Sequence, residues 1–236
     1  MRRVERFTLG LVLLCVLWTL PTLLGWRTHF EAGALSKRAL WQGETWRLVT
    51  STFLHGDTLH LALNGISLYL VGAAIVRGLG WRAAAAFLAA SAAGGHAAGL
   101  FVTDPENLSV LRVGISGAIF GLVGLVLAVE WASARGWRVF LRRRNVRLVG
   151  VLLVVNVAFG LFVPEIDQAA HAGGFLTGLI VGLAAYGRRG PRPLAGAAAA
   201  LLVAGVPLAY ACHPLWDVEF HLFRGDAAYR AEDAEA

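Results

Sequence analysis

The sequence predicts an all-α fold, a polytopic bundle of hydrophobic helices crossing a membrane. Three observations lead there. Of the 236 residues, 57% are hydrophobic and 15% charged, with a mean hydropathy of +0.63; a soluble domain of this size could not cover so much apolar surface. The apolar residues fall in runs that reach or approach the roughly 17–25 residues a helix needs to span a bilayer. The basic residues are concentrated in alternate connections between those runs, as the positive-inside rule requires of membrane helices.

Seven runs are readable, at about 7–25, 58–76, 82–103, 113–132, 147–163, 169–187 and 193–211. The first follows 1-MRRVER-6 as a signal peptide would, but only Trp26 and Arg27 come after it, without a small-x-small cleavage site, so it reads as a retained span. The second and third are joined by a short turn holding Arg77 and Arg82, and the fourth and fifth by 137-WRVFLRRRNVR-147. Glycine, alanine and proline inside the runs are tolerable, because small residues let membrane helices approach closely. With the N-terminus inside, the inner connections carry 14 of the 21 Lys and Arg residues, and the outer segments hold most of the acids, among them Asp104, Glu106, Glu165 and Asp167. The N-terminus is therefore expected in the cytoplasm and the C-terminus outside. Residues 1–211 are expected to form one transmembrane domain, with a long outer loop at 26–57, and 212–236 a polar, mobile tail.

The net charge of +6 invites a nucleic-acid reading. The arginines are better explained as loop anchors facing anionic lipid, so the expected surroundings are the bilayer and not nucleic acid. Cys15 and Cys212, in the first and last spans, make neither an expected disulfide nor a metal motif.

Polar groups within membrane spans are costly and mark candidate sites. The second span opens 55-HGDTLHLALNGISLYLVG-72, with His60 and Asn64 four apart on one helix face. The fourth contains Ser116 between glycines in 113-VGISGAIFGLVG-124, and the sixth opens 167-DQAAHAGGFLTGLIVGL-183 with His171 in its first turn. On the predicted topology these three spans run in the same direction. At 1.5 Å rise per residue, His60, Asn64, Ser116 and His171 lie in one shallow layer near the outer face. Gly174, Gly178 and Gly182 repeat every four residues on one helix, and Gly117, Gly121 and Gly124 line a face of the other. If these faces meet, Ser116 reaches His171, and Phe120, one turn below, packs on the imidazole.

That grouping suits nucleophilic acyl transfer. A serine hydroxyl becomes a nucleophile when a base takes its proton, and His171 can serve as that base and then as the acid. His60, Asn64 and the Ser116 N–H are the candidate oxyanion donors. Asp167 reads as the cap of the sixth span rather than an orienter of His171. Blander readings stand beside this one. A membrane serine often bonds its own backbone, and two membrane histidines can ligate heme, although heme leaves Asn64 and the serine–glycine setting unexplained. His96, in 92-AAGGHAAG-99, reads as packing or hydrogen bonding.

The segments 45-TWRLVTSTFLHGDTLHLALN-64, 114-GISGAIFG-121 and 170-AHAGGFLTG-178 together resemble the rhomboid intramembrane serine proteases. The family's pattern falls on Trp46 and Arg47 in the first outer loop, then His55, His60 and Asn64, Gly114 to Gly117, and Ala170 to Gly174. The resemblance covers about residues 41–187, in order. It implies a six-helix rhomboid-like core, with the seventh C-terminal helix lying beyond it as in members of a six-plus-one layout, and a Ser116–His171 dyad. It also implies an oxyanion site from His60, Asn64 and the Ser116 N–H, and no cofactor or metal. Supporting residues would be Gly114, Gly117, Phe120, Gly174, His55, Trp46 and Arg47. Substrates would be transmembrane segments of other membrane proteins, and the implied place is a bacterial inner membrane, with the site near its outer face.

Three departures stand out: the seventh span, Ile75 near the place of a common glutamate, and Phe120 where many bacterial members have tyrosine. The rival functions are a catalytically silent client-binding relative, a transporter, and a specialised protease trimming C-terminal anchors. The substrate, the cleaved bond and the oligomeric state are not written in the sequence.

Overall fold

A computed structural model describes residues 2–103, 107–163, 166–187, 190–214 and 220–226. Asp104, Glu106, Glu165, Arg188, Arg189 and most of the tail lie outside the described residues. The described chain is a helical bundle. Seven of its helices are long and apolar enough to cross a membrane, and they are numbered here as spans: Arg6–Leu23, Thr58–Leu79, Trp81–Phe101, Ser116–Ser133, Arg144–Phe162, Gln168–Ala185 and Pro193–Cys212. Short helices Arg27–Gly33, Lys37–Trp41 and Arg47–Phe53 build the first long loop. Single π-turns interrupt the second span at Leu68–Gly72 and the seventh at Leu201–Gly205.

Two helix starts differ from the sequence expectation. The fourth span begins at Ser116, three residues later than expected, because Gly114 takes φ +112 and its N–H donates to Ser51 O at 2.9 Å. A backbone turned that way cannot continue a right-handed helix. The fifth span begins earlier than expected, at Arg144, so the basic stretch runs into the helix and gives it 19 residues.

The third, fourth and sixth spans form the centre of the bundle, the fourth and sixth being the most closely associated pair. Glycines make this possible. A methyl at Gly178 would sit 2.7 Å from Gly121 Cα and overlap the Gly121 carbonyl, and one at Gly174 would overlap the Gly117 carbonyl. Gly173 lies in the same way on Gly94 of the third span. These helices touch backbone to backbone, closer than any side chain permits. The periphery is different. Half of the third and fourth spans is buried, against 17% of the first and seventh and 6% of the fifth. Leu13, Leu70, Val154 and Leu161 stand on that outer surface, where hydrocarbon is the favourable surrounding.

Part of the tail is not free. Residues 220–226 are helical, and Phe220 is buried with its ring 5.3 Å from that of Trp41. The Trp41 indole N–H donates to Ala211 O at 3.3 Å, at the end of the seventh span. Cys15 and Cys212 are both free thiols.

The backbone contact between spans four and six generates a prediction. Gly178→Ala should lower stability by about 1–3 kcal/mol, the usual cost of overpacking. Gly150→Ala, on the exposed fifth span with open space around it, should leave stability unchanged or raise it slightly, since alanine is the better helix former. Thermal unfolding in detergent compares them, and equal behaviour would rule out the close contact.

Candidate active site

The backbone turn at Gly114 makes Ser116 the first residue of the fourth span. The first N–H groups of a helix have no intrahelical acceptor. The Ser116 N–H therefore points out of the helix end beside its own hydroxyl. The sixth span starts at Gln168 because Asp167 caps it, accepting from Ala170 N at 2.9 Å. That start puts His171 in the first turn of its helix. Since Gly117 and Gly174 remove the side chains between the two helices, His171 Nε2 comes to 2.8 Å from Ser116 Oγ. Phe120 stacks on the imidazole with centroids 4.4 Å apart and planes 14° from parallel, which fixes the ring's plane.

The second span approaches from the other side. Asp57 caps it, accepting from His60 N at 2.8 Å. A Cβ at Gly114 would lie 2.9 Å from His60 Nε2 and 3.7 Å from Asn64 Nδ2. So both side chains crowd the turn that precedes Ser116, and only glycine fits there. Asn64 is buried. Fully buried His55 sets its ring edge against His60 with centroids 4.9 Å apart. Its Nδ1 donates to Phe53 O at 3.2 Å. Burial first, and then nearby His60, push the His55 imidazole down to about 4, so it is neutral at physiological pH and serves as a fixed wall behind His60.

The outer loops brace this layer. Arg47 donates to the carbonyls of Glu31 and Ala34 and pairs with Glu44 at 2.5 Å, tying the Arg47–Phe53 helix to the turn that precedes it and to the end of Arg27–Gly33. Its neighbour Trp46 is exposed on the loop surface. His96 donates from Nε2 to Leu48 O at 3.0 Å, a hydrogen bond that ties the third span to the same loop. A small cavity of about 30 Å³ lies beside Ser116, with His96, Arg112 and Asp167 in its lining. Among the described residues no group of three His, Cys, Asp or Glu side chains is placed to hold a metal.

Two residues at the site went unselected in the sequence. Arg112 pairs with Asp167, donates to Thr103 Oγ1 at 3.0 Å, and has its backbone bridged to Leu35. Both Asp167 oxygens are thus engaged away from His171. Asn156, in the fifth span, places its amide nitrogen 3.1 Å from His171 Nδ1. The signal for Asn156 was present: it is a lone amide in a long apolar run, and any polar group in such a run is a candidate.

Comparison with known proteins identifies the family. The family model of the rhomboid domain matches residues 42–188. The chain is 36% identical over 177 residues to rhomboid protease GluP of Bacillus subtilis, covering 73% of this chain and 32% of that protein. It is 36% identical over 153 residues to RHOMBOID-like protein 5 of Arabidopsis thaliana, covering 64% of this chain and 48% of that one. Putative rhomboid protease YdcA of Bacillus subtilis is 33% identical over 183 residues, 72% of this chain and 84% of that protein. The chain thus spans half or less of the length of the first two relatives. With seven apolar helices of bilayer length and a match across its centre, the protein is an integral membrane protein that belongs to the rhomboid family.

Proposed function

We propose that the protein is an intramembrane serine endopeptidase using a Ser116–His171 dyad. The observation that carries this reading is the 2.8 Å approach of Ser116 Oγ to His171 Nε2 between two different spans. The protease names of its two Bacillus relatives support the same class.

The chemistry follows from the arrangement. The Ser116 proton passes to His171 Nε2 as Oγ attacks the scissile carbonyl. Negative charge develops on the carbonyl oxygen, and the Ser116 N–H, Asn64 and His60 supply hydrogen bonds to it. Collapse of the intermediate expels the amine, which takes the proton back from His171 and leaves an ester on Ser116. Water, deprotonated by His171, then hydrolyses the ester. The cavity beside Ser116 has Thr52, His96, Arg112 and Asp167 among its lining residues and exceeds the ~10–15 Å³ that one water needs. It supports a local water supply in a site otherwise surrounded by apolar helices.

The substrate class is the transmembrane or juxtamembrane segment of another membrane protein. Residues 1–211 are read as one transmembrane domain of a bacterial inner membrane, oriented with the N-terminus in the cytoplasm and the site near the outer face. Its support is the arginine distribution. A catalytically silent, client-binding protein is the alternative; relatives of that kind typically lose the serine or the histidine, and both are present here.

Three outcomes test this proposal. Ser116→Ala should bring cleavage of a reconstituted transmembrane substrate to background without unfolding the protein, and His171→Ala should come close to it. The losses should not add in the double variant, because the two groups act as a unit. A folded Ser116→Ala that cuts at the wild-type rate, or wild type that no fluorophosphonate labels, would end the protease reading. His60→Ala and Asn64→Ala should each lose part of the rate, up to the ~10²–10³ that one oxyanion donor contributes. Unchanged turnover in the double variant would remove both from the mechanism. For orientation, a C-terminal reporter should be active only outside the cytoplasm; cytoplasmic activity would reverse the assignment.

A further inference from the structure

We infer that Asn156 is a positioning residue that holds the His171 ring by its Nδ1 edge, so that Nε2 faces Ser116 as a proton acceptor. This rests on the serine–histidine reading above and adds a third member from the fifth span.

The argument starts from where the ring proton must be. A neutral imidazole carries one N–H. To accept from Ser116, Nε2 needs its lone pair, so the proton must sit on Nδ1. Once Nε2 has taken the serine proton, both nitrogens carry hydrogen, and Nδ1–H needs an acceptor all the more. In an interior of apolar helices an unpaired N–H forfeits its hydration without return. The side chain that reaches Nδ1 is Asn156, with Nδ2 at 3.1 Å. The carbonyl and NH₂ of an amide are nearly the same shape and exchange by a half-turn about χ2. With Oδ1 toward the ring, the amide accepts from Nδ1–H and fixes the productive tautomer. The proton balance is simple: the serine proton moves to Nε2, Nδ1–H stays in its bond to Oδ1, and the amide itself takes no proton.

The setting of Asn156 is built for this. Its backbone carbonyl accepts from Gln168 Nε2 at 3.2 Å. Gly160, one turn further along the fifth span, leaves the room that the Gln168 side chain fills; a Cβ there would lie 2.5 Å from Gln168 Cδ. Gln168 opens the sixth span three residues before His171, so one helical turn holds both the histidine and its partner's backbone. The rest of the fifth span offers little else: only 6% of it is buried, and Val155 and Val157, flanking Asn156, are 47% and 59% exposed. An amide among such neighbours, aimed at the imidazole, has a polar task that leucine could not perform.

The test is made on the full chain in detergent. Asn156→Leu keeps the branched shape and removes the acceptor. It should lower kcat about tenfold to a thousandfold while KM stays within about twofold. The ceiling is the ~10⁴ lost when the orienting aspartate of a serine-protease triad is replaced. Asn156→Asp, which keeps an acceptor oxygen, should retain clearly more activity than Asn156→Leu. A second measurement needs no substrate. In ¹⁵N spectra of histidine-labelled protein, with the His171 signals assigned by their loss in His171→Ala, the wild-type neutral ring should carry its proton on Nδ1. In Asn156→Leu the proton should move toward Nε2. If Asn156→Leu does not fold, Asn156→Ala takes its place. A folded variant with wild-type kcat, or an unchanged ring proton distribution, overturns the inference. Failure of the serine–histidine reading would look different: wild type itself would neither label nor cut, while the ring spectra would still decide the role of Asn156.

Discussion

The site depends on the backbone contact between the fourth and sixth spans. Ser116 and His171 are far apart in sequence, on separate helices, and each side chain is short. They meet at 2.8 Å because Gly117, Gly121, Gly174 and Gly178 let the helix axes come closer than any methyl would permit. Membrane helices lack the hydrophobic drive that packs helices in water, since lipid is as apolar as leucine, so this contact must be made by shape and dispersion. The same contact seats Phe120 on the imidazole. It also holds the serine at a helix end where free N–H groups are available.

The contact alone would leave the depth of each residue unset, and the aspartate caps set it. Asp57 and Asp167 start the second and sixth spans, and so bring His60 and His171 into the first turns of their helices. The fourth span has no such cap, and its start is set by the turn at Gly114. Three helix starts, fixed by two different devices, bring the polar layer together. Loop interactions then brace it: Arg47 ties the last short helix of the first loop to the first, and Arg112 joins Leu35, Thr103 and Asp167.

Much of this was legible in the sequence, because the membrane removes most alternatives. Spans had to be helices, and polar residues were few enough to be placed by counting turns. The glycine faces of spans four and six could be read from their spacing. What stayed hidden depended on partners from elsewhere in the chain. The late start at Ser116 follows from a hydrogen bond between Gly114 and Ser51 and from the crowding of His60, and neither shows in the hydropathy of the run. Asn156 is the single polar residue between Leu148 and Val163, and its partner lies on the next helix. Arg112 had the look of any loop charge until the fold brought Asp167 to it. The docking of Phe220 on Trp41 joins segments about three quarters of the chain apart, so no local pattern could announce it.

That last contact has a consequence for how the molecule is assembled from parts. The region shared with the family runs over residues 42–188. Trp41 stands one residue before it, whereas Ala211 and Phe220, its partners, lie beyond it. The flanking segments therefore close on each other across the outside of the shared core, like a clasp on a bracelet. The seventh span is the half of the clasp that carries the tail. A chain without this helix would lack the surface that seats Trp41, so the beginning of the first outer loop is held in place from the C-terminal side.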